Sequence, residues 1–465
     1  MNPIFEDLLN NIPDYKTFLT VEELDASSRA LAEKYPDVVS VFEIGHTKEN
    51  YPLLCLKIGS GSRNALMFGC PHPNEPIGTM MLEYFTENLA KNKALRDELD
   101  YTWYVVKAWD ADGLRLNEKW LKGPYNIYNY SRNFFRPAGH RQVDWTFPVD
   151  YKGLHFHNTL PETDAMIGLL DKVKPAFIYS LHNAGFGGVY WYMSDGLPAL
   201  YDQMYNAANK VHVPLNLGEP EAPYCVELAP AVYRSLGIEQ EYDYLEKFSP
   251  EGTDIGASFN VGNNSAPYAR KKYGSFTLLT ELPYFFDERI MDRSEGTMLR
   301  RDAVLRNLDS SEKSNRYILD TMEISRKYFA PLNPFVLALD AFTKSDSDEA
   351  TRNMVKSNPD FDKTATVSEE FDNLLMSRFY KSLSYGMLIR ANEYELEAME
   401  KAGEVNPEKK AALEKARDIA IVHHKELTDQ LEKEIHYQVV PIRKLVSIQL
   451  ECGLLVSKYL HDSQK

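Results

Sequence analysis

The sequence predicts an α/β fold, in which a central sheet is covered by helices on both faces, followed by an all-α C-terminal domain. Up to about Tyr328, short apolar segments typical of buried strands alternate with segments whose apolar residues recur at helical spacing. Beyond that residue the strand-like segments disappear, and apolar residues recur at three- and four-residue spacing. This change predicts two domains, residues 1–330 and residues 331–465.

The elements of the first domain follow from these patterns in chain order. The turn residues Lys48, Glu49 and Asn50 separate two strand-like segments, which we therefore expect to pair. The elements expected are a helix over residues 21–35, strands over 38–44, 53–58 and 64–68, a helix over 77–89, a strand over 101–109, a helix over 164–173, and strands over 176–181 and 276–282.

The second domain is predicted to contain helices over residues 369–401, 409–438 and 442–460. Gly403 is typical of a helix end, and Asn406 followed by Pro407 is typical of a helix start. We therefore expect one or two antiparallel helical hairpins. The sequence does not indicate what this domain does.

The composition narrows the classes of function. The chain has 465 residues, of which 44% are hydrophobic and 26% charged, as is usual for globular proteins. Its net charge of -16 disfavours nucleic acids and anionic membranes as partners, because both need clustered lysine and arginine. Neither a signal-peptide pattern at the N-terminus nor a long apolar run is visible. We therefore expect a cytoplasmic protein without a membrane partner.

The stretch from Gly69 to Pro76 contains the first candidate site. His72 and Glu75 lie three residues apart in a proline-rich turn, directly after the strand-like segment at 64–68. A catalytic zinc ion takes three protein ligands from histidine, glutamate and aspartate, and leaves a further position open. A surface turn would also explain this spacing. The position after a buried strand favours a site, because ligands of open α/β sheets bind at the carboxyl ends of strands.

A third ligand and a general base are expected at other strand ends. His182 directly follows the strand predicted over 176–181, whereas the competing His155 and His157 lie in a polar stretch without strands. Glu281 is the one acid near the end of the strand over 276–282, where an unpartnered charge would be costly to bury. Glu281 could instead pair with an arginine. We expect His182 as ligand and Glu281 as base.

The order of these motifs resembles the zinc carboxypeptidase family. His-x-x-Glu after a strand, Ser180-Leu181-His182 at a strand end, and Thr280-Glu281-Leu282 further on match the family pattern over about residues 10–300. The resemblance implies a mixed, mostly parallel central sheet and one zinc ion on His72, Glu75 and His182. It also implies a metallocarboxypeptidase that hydrolyses the C-terminal peptide bond through a zinc-activated water, with Glu281 as general base.

The same resemblance implies that an arginine binds the carboxylate of the substrate. The segment from Tyr130 to Phe135 is similar to the family's N-R-N-F motif and places Arg132 as the residue that binds this carboxylate. Ser131 stands where the family has asparagine, which is a departure from the motif. The expected partner is therefore a peptide or peptide-like molecule with a free carboxylate.

Two further roles are implied by the family. Asp112-Gly113 resembles its P-D-G turn, so Arg115 is expected to stabilise the oxyanion, with Lys119 and Lys122 as alternatives. Tyr268 is expected to be the tyrosine that covers bound substrate. The pocket walls are expected within residues 259–273.

Two other functions fit part of this pattern. A zinc-dependent amide hydrolase on the same fold, such as a deacylase or a cell-wall-peptide amidase, would share the metal ligands and Glu281 but would not require Arg132. A non-catalytic binding or scaffold protein could retain a vestigial site. The presence of all three expected ligands and of Glu281 argues against the scaffold.

Overall fold

The computed structural model of the chain describes residues 2–344 and 346–463, in which a large sheet is enclosed by helices. The strands in this part of the chain are β1 (Val39–His46), β2 (Pro52–Ile58), β3 (Arg63–Gly69), β4 (Tyr101–Val106), β5 (Val149–Tyr151), β6 (Leu154–Phe156), β7 (Phe177–Leu181), β8 (Tyr190–Met193), β9 (Glu227–Ala229), β10 (Val232–Arg234), β11 (Phe276–Glu281), β12 (Phe285–Phe286), β13 (Glu295–Leu299), β14 (Thr364–Thr366) and β15 (Gln438–Val439).

The helices surround this sheet along the whole described chain. They are α1 (Pro3–Asn10), α2 (Val21–Lys34), α3 (Ile77–Lys91), α4 (Lys93–Leu99), α5 (Ala111–Leu121), α6 (Ile127–Asn133), α7 (Pro161–Val173), α8 (Tyr201–Asn209), α9 (Ile238–Phe248), α10 (Ile255–Ser258), α11 (Ser265–Tyr273), α12 (Arg300–Glu323), α13 (Pro334–Phe342), α14 (Asp346–Ser357), α15 (Val367–Phe371), α16 (Ser377–Ala402), α17 (Pro407–Glu434) and α18 (Ile442–Ser463). The strands and helices predicted for the first domain are all present, with ends shifted by a few residues.

The main sheet has the strand order β1-β2-β4-β3-β7-β11-β8-β10-β9. The central strands β4, β3, β7 and β11 run parallel to one another. On the two sides, β2, β8 and β10 run in the opposite direction, and the outermost strands β1 and β9 pair antiparallel with their neighbours. The sheet is therefore mixed and mostly parallel, with helices around it, and the predicted fold class is confirmed.

The register of the central strands brings three strand ends together. Gly69 of β3 lies beside Leu181 of β7, and Leu181 lies beside Thr280 of β11. Because these strands are parallel, the chain leaves all three at the same edge of the sheet. The segments that follow β3 and β7, and the last residue of β11, Glu281, therefore meet there.

Alternate side chains of the central strands pack into hydrophobic clusters on the two faces of the sheet. Met67 and Tyr179 belong to the larger cluster, whereas their neighbours Phe68 and Ile178 belong to a smaller one. The near-continuous apolar sequence of these strands is expected when both faces are covered. Helix α18 packs against β7 on the face of the larger cluster, and α7 packs against β1.

The helices beyond residue 330 pack directly on the first part of the chain. Helix α16 pairs with α17 and also packs on α6, while α18 packs on α3. Gly403 ends α16 with a φ of +61°, and the Asn406 side chain accepts a hydrogen bond from Lys409 N, which starts α17 as predicted. The boundary at residue 330 stays a prediction, since residues on both sides of it belong to one hydrophobic cluster.

Two features of this helical region were not predicted. The strands β14 and β15 pair with β13 and β12, and they are too short to produce a recognisable period in the sequence. Between α15 and α16 the chain forms a π-helical turn at Asp372–Met376.

No helix in residues 2–344 and 346–463 is long and apolar enough to cross a membrane. The cytoplasmic location stays a prediction.

The contact between α6 and α16 depends on a glycine, which leads to a testable prediction. A Cβ atom on Gly386 would overlap the carbonyl oxygen of Ser131, so the helices would have to separate. We expect Gly386→Ala to lower the free energy of unfolding by about 1–3 kcal/mol, measured by urea denaturation. A Cβ on Gly168 of α7 would meet no atom within 4 Å, so Gly168→Ala is the control and should stabilise by about 0.5–1 kcal/mol. Equal effects of the two substitutions would contradict this account.

Candidate metal centre

The loop between β3 and α3 holds two of the expected metal ligands in a buried turn. Cys70 begins the turn with a φ of +48°, a left-handed conformation that residues other than glycine adopt rarely. Glu75 N donates a hydrogen bond to His72 O at 3.1 Å, which closes the turn. Ile77 N donates to Asn183 Oδ1 at 3.0 Å, so the start of α3 is bound to the segment that follows β7. Such strained turns are common at functional sites.

The side chains of His72, Glu75 and His182 converge at this sheet edge. His72 Nδ1 lies 3.1 Å from Glu75 Oε1, and His182 Nδ1 lies 3.0 Å from Glu75 Oε2. The three residues are at most 6% exposed, and their ligand atoms all lie within 4.8 Å of one another. The structure therefore brings together the three residues expected as ligands.

This donor set fits a zinc ion. Two imidazole nitrogens and one carboxylate are the ligands of a common class of catalytic zinc sites. His182 Nδ1 is buried, and although it lies 3.0 Å from Glu75 Oε2 it forms no hydrogen bond of good geometry in the described part of the chain, which is costly unless another group binds this nitrogen. The other nitrogen of His182, Nε2, lies 2.8 Å from Ser180 Oγ, a contact that fixes the ring orientation as partners of metal ligands usually do.

The protonation states also fit metal binding, since a ligand histidine must be neutral and a ligand carboxylate ionised. Burial and the nearby Arg136 guanidinium together lower the pKa of His72 to about 3. Burial alone would raise the pKa of Glu75, but the adjacent His72 and His182 rings hold it below its usual range. At neutral pH, His72 is therefore neutral and Glu75 is charged.

Glu281 lies beside these residues at the end of β11. Its Oε1 atom is 3.6 Å from His182 Nδ1, and its Oε2 atom has no hydrogen-bond partner among the described residues. Burial raises the pKa of Glu281 well above its usual range, and the charges of Glu75 and Glu221 add to this effect. The alternative in which Glu281 pairs with an arginine is not found in the described residues.

A cavity of about 500 Å³ opens over this group. Of the wall predicted within residues 259–273, only Asn264, Ser265 and Ala266 line it. Other parts of the wall were not predicted, and these include Asn216, residues 219–221 and 235–236, and parts of 372–383. The C-terminal helical region therefore forms part of the cavity.

Arg136 is a candidate functional residue that was not predicted from the sequence. Its Nη1 atom donates to Glu75 Oε1 at 3.2 Å, and its Nε atom donates to Gln142 Oε1 at 3.2 Å. Within residues 2–344 and 346–463, it is the only lysine or arginine that lines the cavity. Arg136 follows Arg132 by four positions, so the segment singled out in the sequence borders the cavity through a different arginine.

Arg132 does not reach the cavity, and the prediction of its role is corrected. Its Nη2 atom donates to Glu393 Oε1 at 2.5 Å, on α16. The reason is the short helix α6, which packs on α16 and directs its last turn toward the C-terminal helices. Ser131, the departure from the family motif, is buried in the same contact, with its Oγ 2.8 Å from His424 Nε2.

Arg115 and its two alternatives are also placed away from the cavity. The Arg115 guanidinium binds Glu22 and stacks 4.4 Å from the centre of the Tyr51 ring. Lys119 lies 3.7 Å from a carboxylate oxygen of Glu397, and Lys122 lies 2.7 Å from one of Glu23. Arg115 and Lys119 on α5, and Lys122 directly after it, are exposed and form surface ion pairs.

Tyr268 is not positioned to cover a substrate. Its ring packs 5.1 Å from the Phe147 ring, and its hydroxyl accepts a hydrogen bond from Lys272 Nζ at 2.9 Å. Helix α11 thus presents Ser265 and Ala266 to the cavity and Tyr268 to the smaller hydrophobic cluster. The competing histidines are excluded as ligands of this site, because His155 and His157 are exposed and both contact Asp150.

The last helix supports the segment that carries His182. Gln449 Nε2 of α18 donates to His182 O at 3.2 Å, and Gln449 O accepts from Tyr179 Oη at 2.8 Å. Gln449 is fully buried. The ligand from β7 is therefore held both by the sheet and by a helix from the end of the described chain.

Comparison with known proteins supports the resemblance over part of the chain. A family model described as zinc carboxypeptidase matches residues 24–220, which include all three candidate ligands. The resemblance to the zinc carboxypeptidase family is confirmed. The matched range ends before Glu281 and before the C-terminal helices, so the zinc carboxypeptidase match does not extend to either.

Individual zinc carboxypeptidases match shorter parts of the chain. Mast cell carboxypeptidase A from Mus musculus is 32% identical over 127 residues, which cover 26% of this chain and 30% of that protein. Carboxypeptidase E from Caenorhabditis elegans is 25% identical over 132 residues, which cover 24% of this chain and 28% of that protein. The chain therefore spans less than a third of the length of either relative.

Solved structures align with a larger share of the chain at low identity. Carboxypeptidase A from Helicoverpa armigera covers 60% of this chain and 71% of its own, with 16% identity and a TM-score of 0.36. Bovine thrombin-activatable fibrinolysis inhibitor, in complex with tick carboxypeptidase inhibitor, covers 57% and 86%, with 15% identity and a TM-score of 0.36.

Proposed function

We propose that the chain is a zinc-dependent metallocarboxypeptidase that removes the C-terminal residue of peptides. The observation that carries this proposal is a single cavity lined by His72, Glu75, His182, Glu281 and Arg136. Zinc held by the two histidines and Glu75 would supply Lewis-acid activation of a water molecule and of the substrate carbonyl. One zinc ion per chain follows from the one buried three-ligand group in the described residues.

Glu281 is proposed as the general base. It accepts a proton from the attacking water on its free Oε2 atom and returns a proton to the leaving amine. Because burial and the charge of Glu75 raise its pKa, its carboxylate is a stronger base than an exposed one. Glu281 Oε1 lies 3.6 Å from His182 Nδ1, so Glu281 is next to the three proposed ligands but is not one of them.

Arg136 is proposed to bind the free carboxylate of the substrate, in place of Arg132. A guanidinium can form two parallel hydrogen bonds with a carboxylate, which gives both affinity and orientation. The Arg136 side chain is 29% exposed and borders the cavity, so a substrate can reach it.

A second candidate function is supported by the same arginine. Arg136 contacts the ligand Glu75 directly, and a cation in that position can instead stabilise the oxyanion of the tetrahedral intermediate. No other lysine or arginine of the described chain would then remain in the cavity for a substrate carboxylate. Such a protein would be a zinc-dependent amide hydrolase that does not require a free C-terminus.

Digestion of a peptide library by zinc-loaded protein, read by mass spectrometry, tests the proposal. We expect peptides shortened by single residues from the C-terminus, loss of this activity when a chelator removes zinc, and recovery when zinc is added back. Cleavage of C-terminally amidated peptides at the same rate would favour the amide hydrolase. Absence of both stoichiometric zinc and hydrolysis would favour the non-catalytic scaffold.

A further inference from the structure

The cavity has an acidic wall that the proposed mechanism does not use. We define this wall as Glu219, Glu221 and Asp372, all of which line the cavity. Glu221 and Asp372 lie outside the range that matches the zinc carboxypeptidase family model. A wall of carboxylates in a catalytic cavity attracts cations.

Asp372 begins the π-helical turn Asp372–Met376, a local structure that is rare and often found at functional sites. Its Oδ2 atom accepts a hydrogen bond from Glu219 N at 2.9 Å. Burial and the charge of Glu219 together raise the pKa of Asp372 to about 8. In the part of the chain that the structure describes, Asp372 forms no ion pair with a lysine or arginine.

The other two carboxylates differ in their partners. Glu219 is already neutralised, because Arg300 Nε donates to its Oε1 atom at 2.9 Å. Glu221 is exposed, and its Oε2 atom accepts a hydrogen bond from Tyr192 Oη at 2.8 Å. Like Asp372, Glu221 has no ion pair with a cationic side chain of the described residues. Two carboxylates of the wall therefore remain open to a ligand.

An independent observation points to a ligand beside this wall. Asn216 lines the cavity, is only 8% exposed, and its Oδ1 atom has no hydrogen-bond partner in the described structure. A Cβ on Gly187 would lie 3.3 Å from this oxygen and 3.4 Å from Met376 Sδ, so Asn216 is adjacent to the π-helical turn. A buried amide oxygen without a donor is costly, and a bound donor would satisfy it.

We propose that the acidic wall binds a cationic group of the substrate, an ammonium or a guanidinium, with Glu221 as its anionic partner, Asp372 as a carboxyl group that the bound cation ionises, and Asn216 as a neutral acceptor. The inference rests on the proposed hydrolase function, which it extends to the chemistry of the substrate. Arg136 on the metal side binds an anionic group, so the preferred substrate carries opposite charges at two positions. The cation can come from a basic side chain or from a free α-amino group.

Calorimetric titration of the zinc-loaded protein with four small molecules separates these two sources. The probes are arginine, citrulline, Nα-acetylarginine and Nα-acetylcitrulline, which have nearly the same shape and differ in their cationic groups. Tighter binding of arginine than citrulline, by about tenfold or more, identifies a side-chain cation. Tighter binding of the free than of the acetylated amino acids identifies the α-amino group. Equal binding of all four probes would overturn the inference.

Substitutions in the wall connect this binding to the named residues. We expect Asp372→Asn and Glu221→Gln each to reduce the preference for the cationic probe by about tenfold. Asp320→Asn on α12 and Glu251→Gln in a loop are matched controls, because both residues are exposed and lie outside the cavity. If Asp372→Asn does not fold, Glu221→Gln still tests the wall. Wild-type preference in both wall variants would overturn the assignment.

The outcome for the wall is separable from that for the proposed function. The four probes are not peptides, so their binding does not require hydrolysis. Selective binding of arginine without any peptide cleavage would support cation binding by the acidic wall and refute the proposed hydrolase function. Peptide cleavage with no preference for cationic probes would support the hydrolase function and refute cation binding by the acidic wall.

Discussion

Replacement of Glu281 by glutamine is expected to abolish peptide hydrolysis while zinc remains bound. The amide keeps the size of the side chain but cannot accept a proton from the attacking water, so kcat should fall by about 10²–10⁴-fold. Zinc should remain bound because Glu281 is not one of the three expected ligands; its Oε1 atom lies 3.6 Å from His182 Nδ1. Steady-state kinetics and metal analysis of the same preparation measure the two properties together.

The control for this experiment is Glu288→Gln. Glu288 is exposed in the segment after β12, so the same chemical change there should leave activity and zinc content unchanged. Full activity of the Glu281→Gln protein would refute Glu281 as the base. Loss of zinc in this variant would indicate that Glu281 supports the metal site instead.

Replacement of Arg136 by alanine is expected to have the second largest effect. Removing the only lysine or arginine of the cavity within the described residues should lower kcat/KM for peptides with a free C-terminus by about 10²–10³-fold. If Arg136 binds the substrate carboxylate, the loss should be confined to these substrates and should appear largely in KM. If Arg136 stabilises the oxyanion, kcat should fall equally for free and amidated peptides.

Arg132→Ala is the matched control for this prediction. Arg132 is bound to Glu393 outside the cavity, so its removal should change kcat/KM by no more than a few-fold. The opposite result, with Arg132→Ala inactive and Arg136→Ala active, would restore the assignment made from the sequence motif. Lysine at position 136 tests geometry, because lysine keeps the charge but cannot form two parallel hydrogen bonds.

The candidate metal centre could be predicted from the sequence because its residues lie at the ends of buried strands. A strand such as β7 is visible as an apolar run, and parallel strands end at the same edge of a sheet, so His72 and His182 could be expected to meet. Glu281 was visible for a related reason, as a charge inside an apolar segment. In each case a local pattern determined the position of the side chain.

The remaining parts of the site depend on contacts between distant segments of the chain, which local sequence patterns do not predict. The helix α6 is only seven residues long, and its packing on α16 decides that Arg132 turns away while Arg136 enters the cavity. The helical period over 369–401 was predicted, but the period does not indicate a π-helical turn or which face meets the cavity. Asp372 therefore could not be assigned to the site from the sequence.

The bond between Gln449 and His182 has a consequence for the order of events during synthesis. These residues are 267 positions apart, so the ribosome must add that length of chain before the segment that carries His182 gains its helical support. At a typical rate of about 5–20 residues per second, this takes roughly 13–53 seconds. We therefore expect partly synthesised chains to lack a mature metal centre, which would delay hydrolytic activity until the enclosing helices have been made.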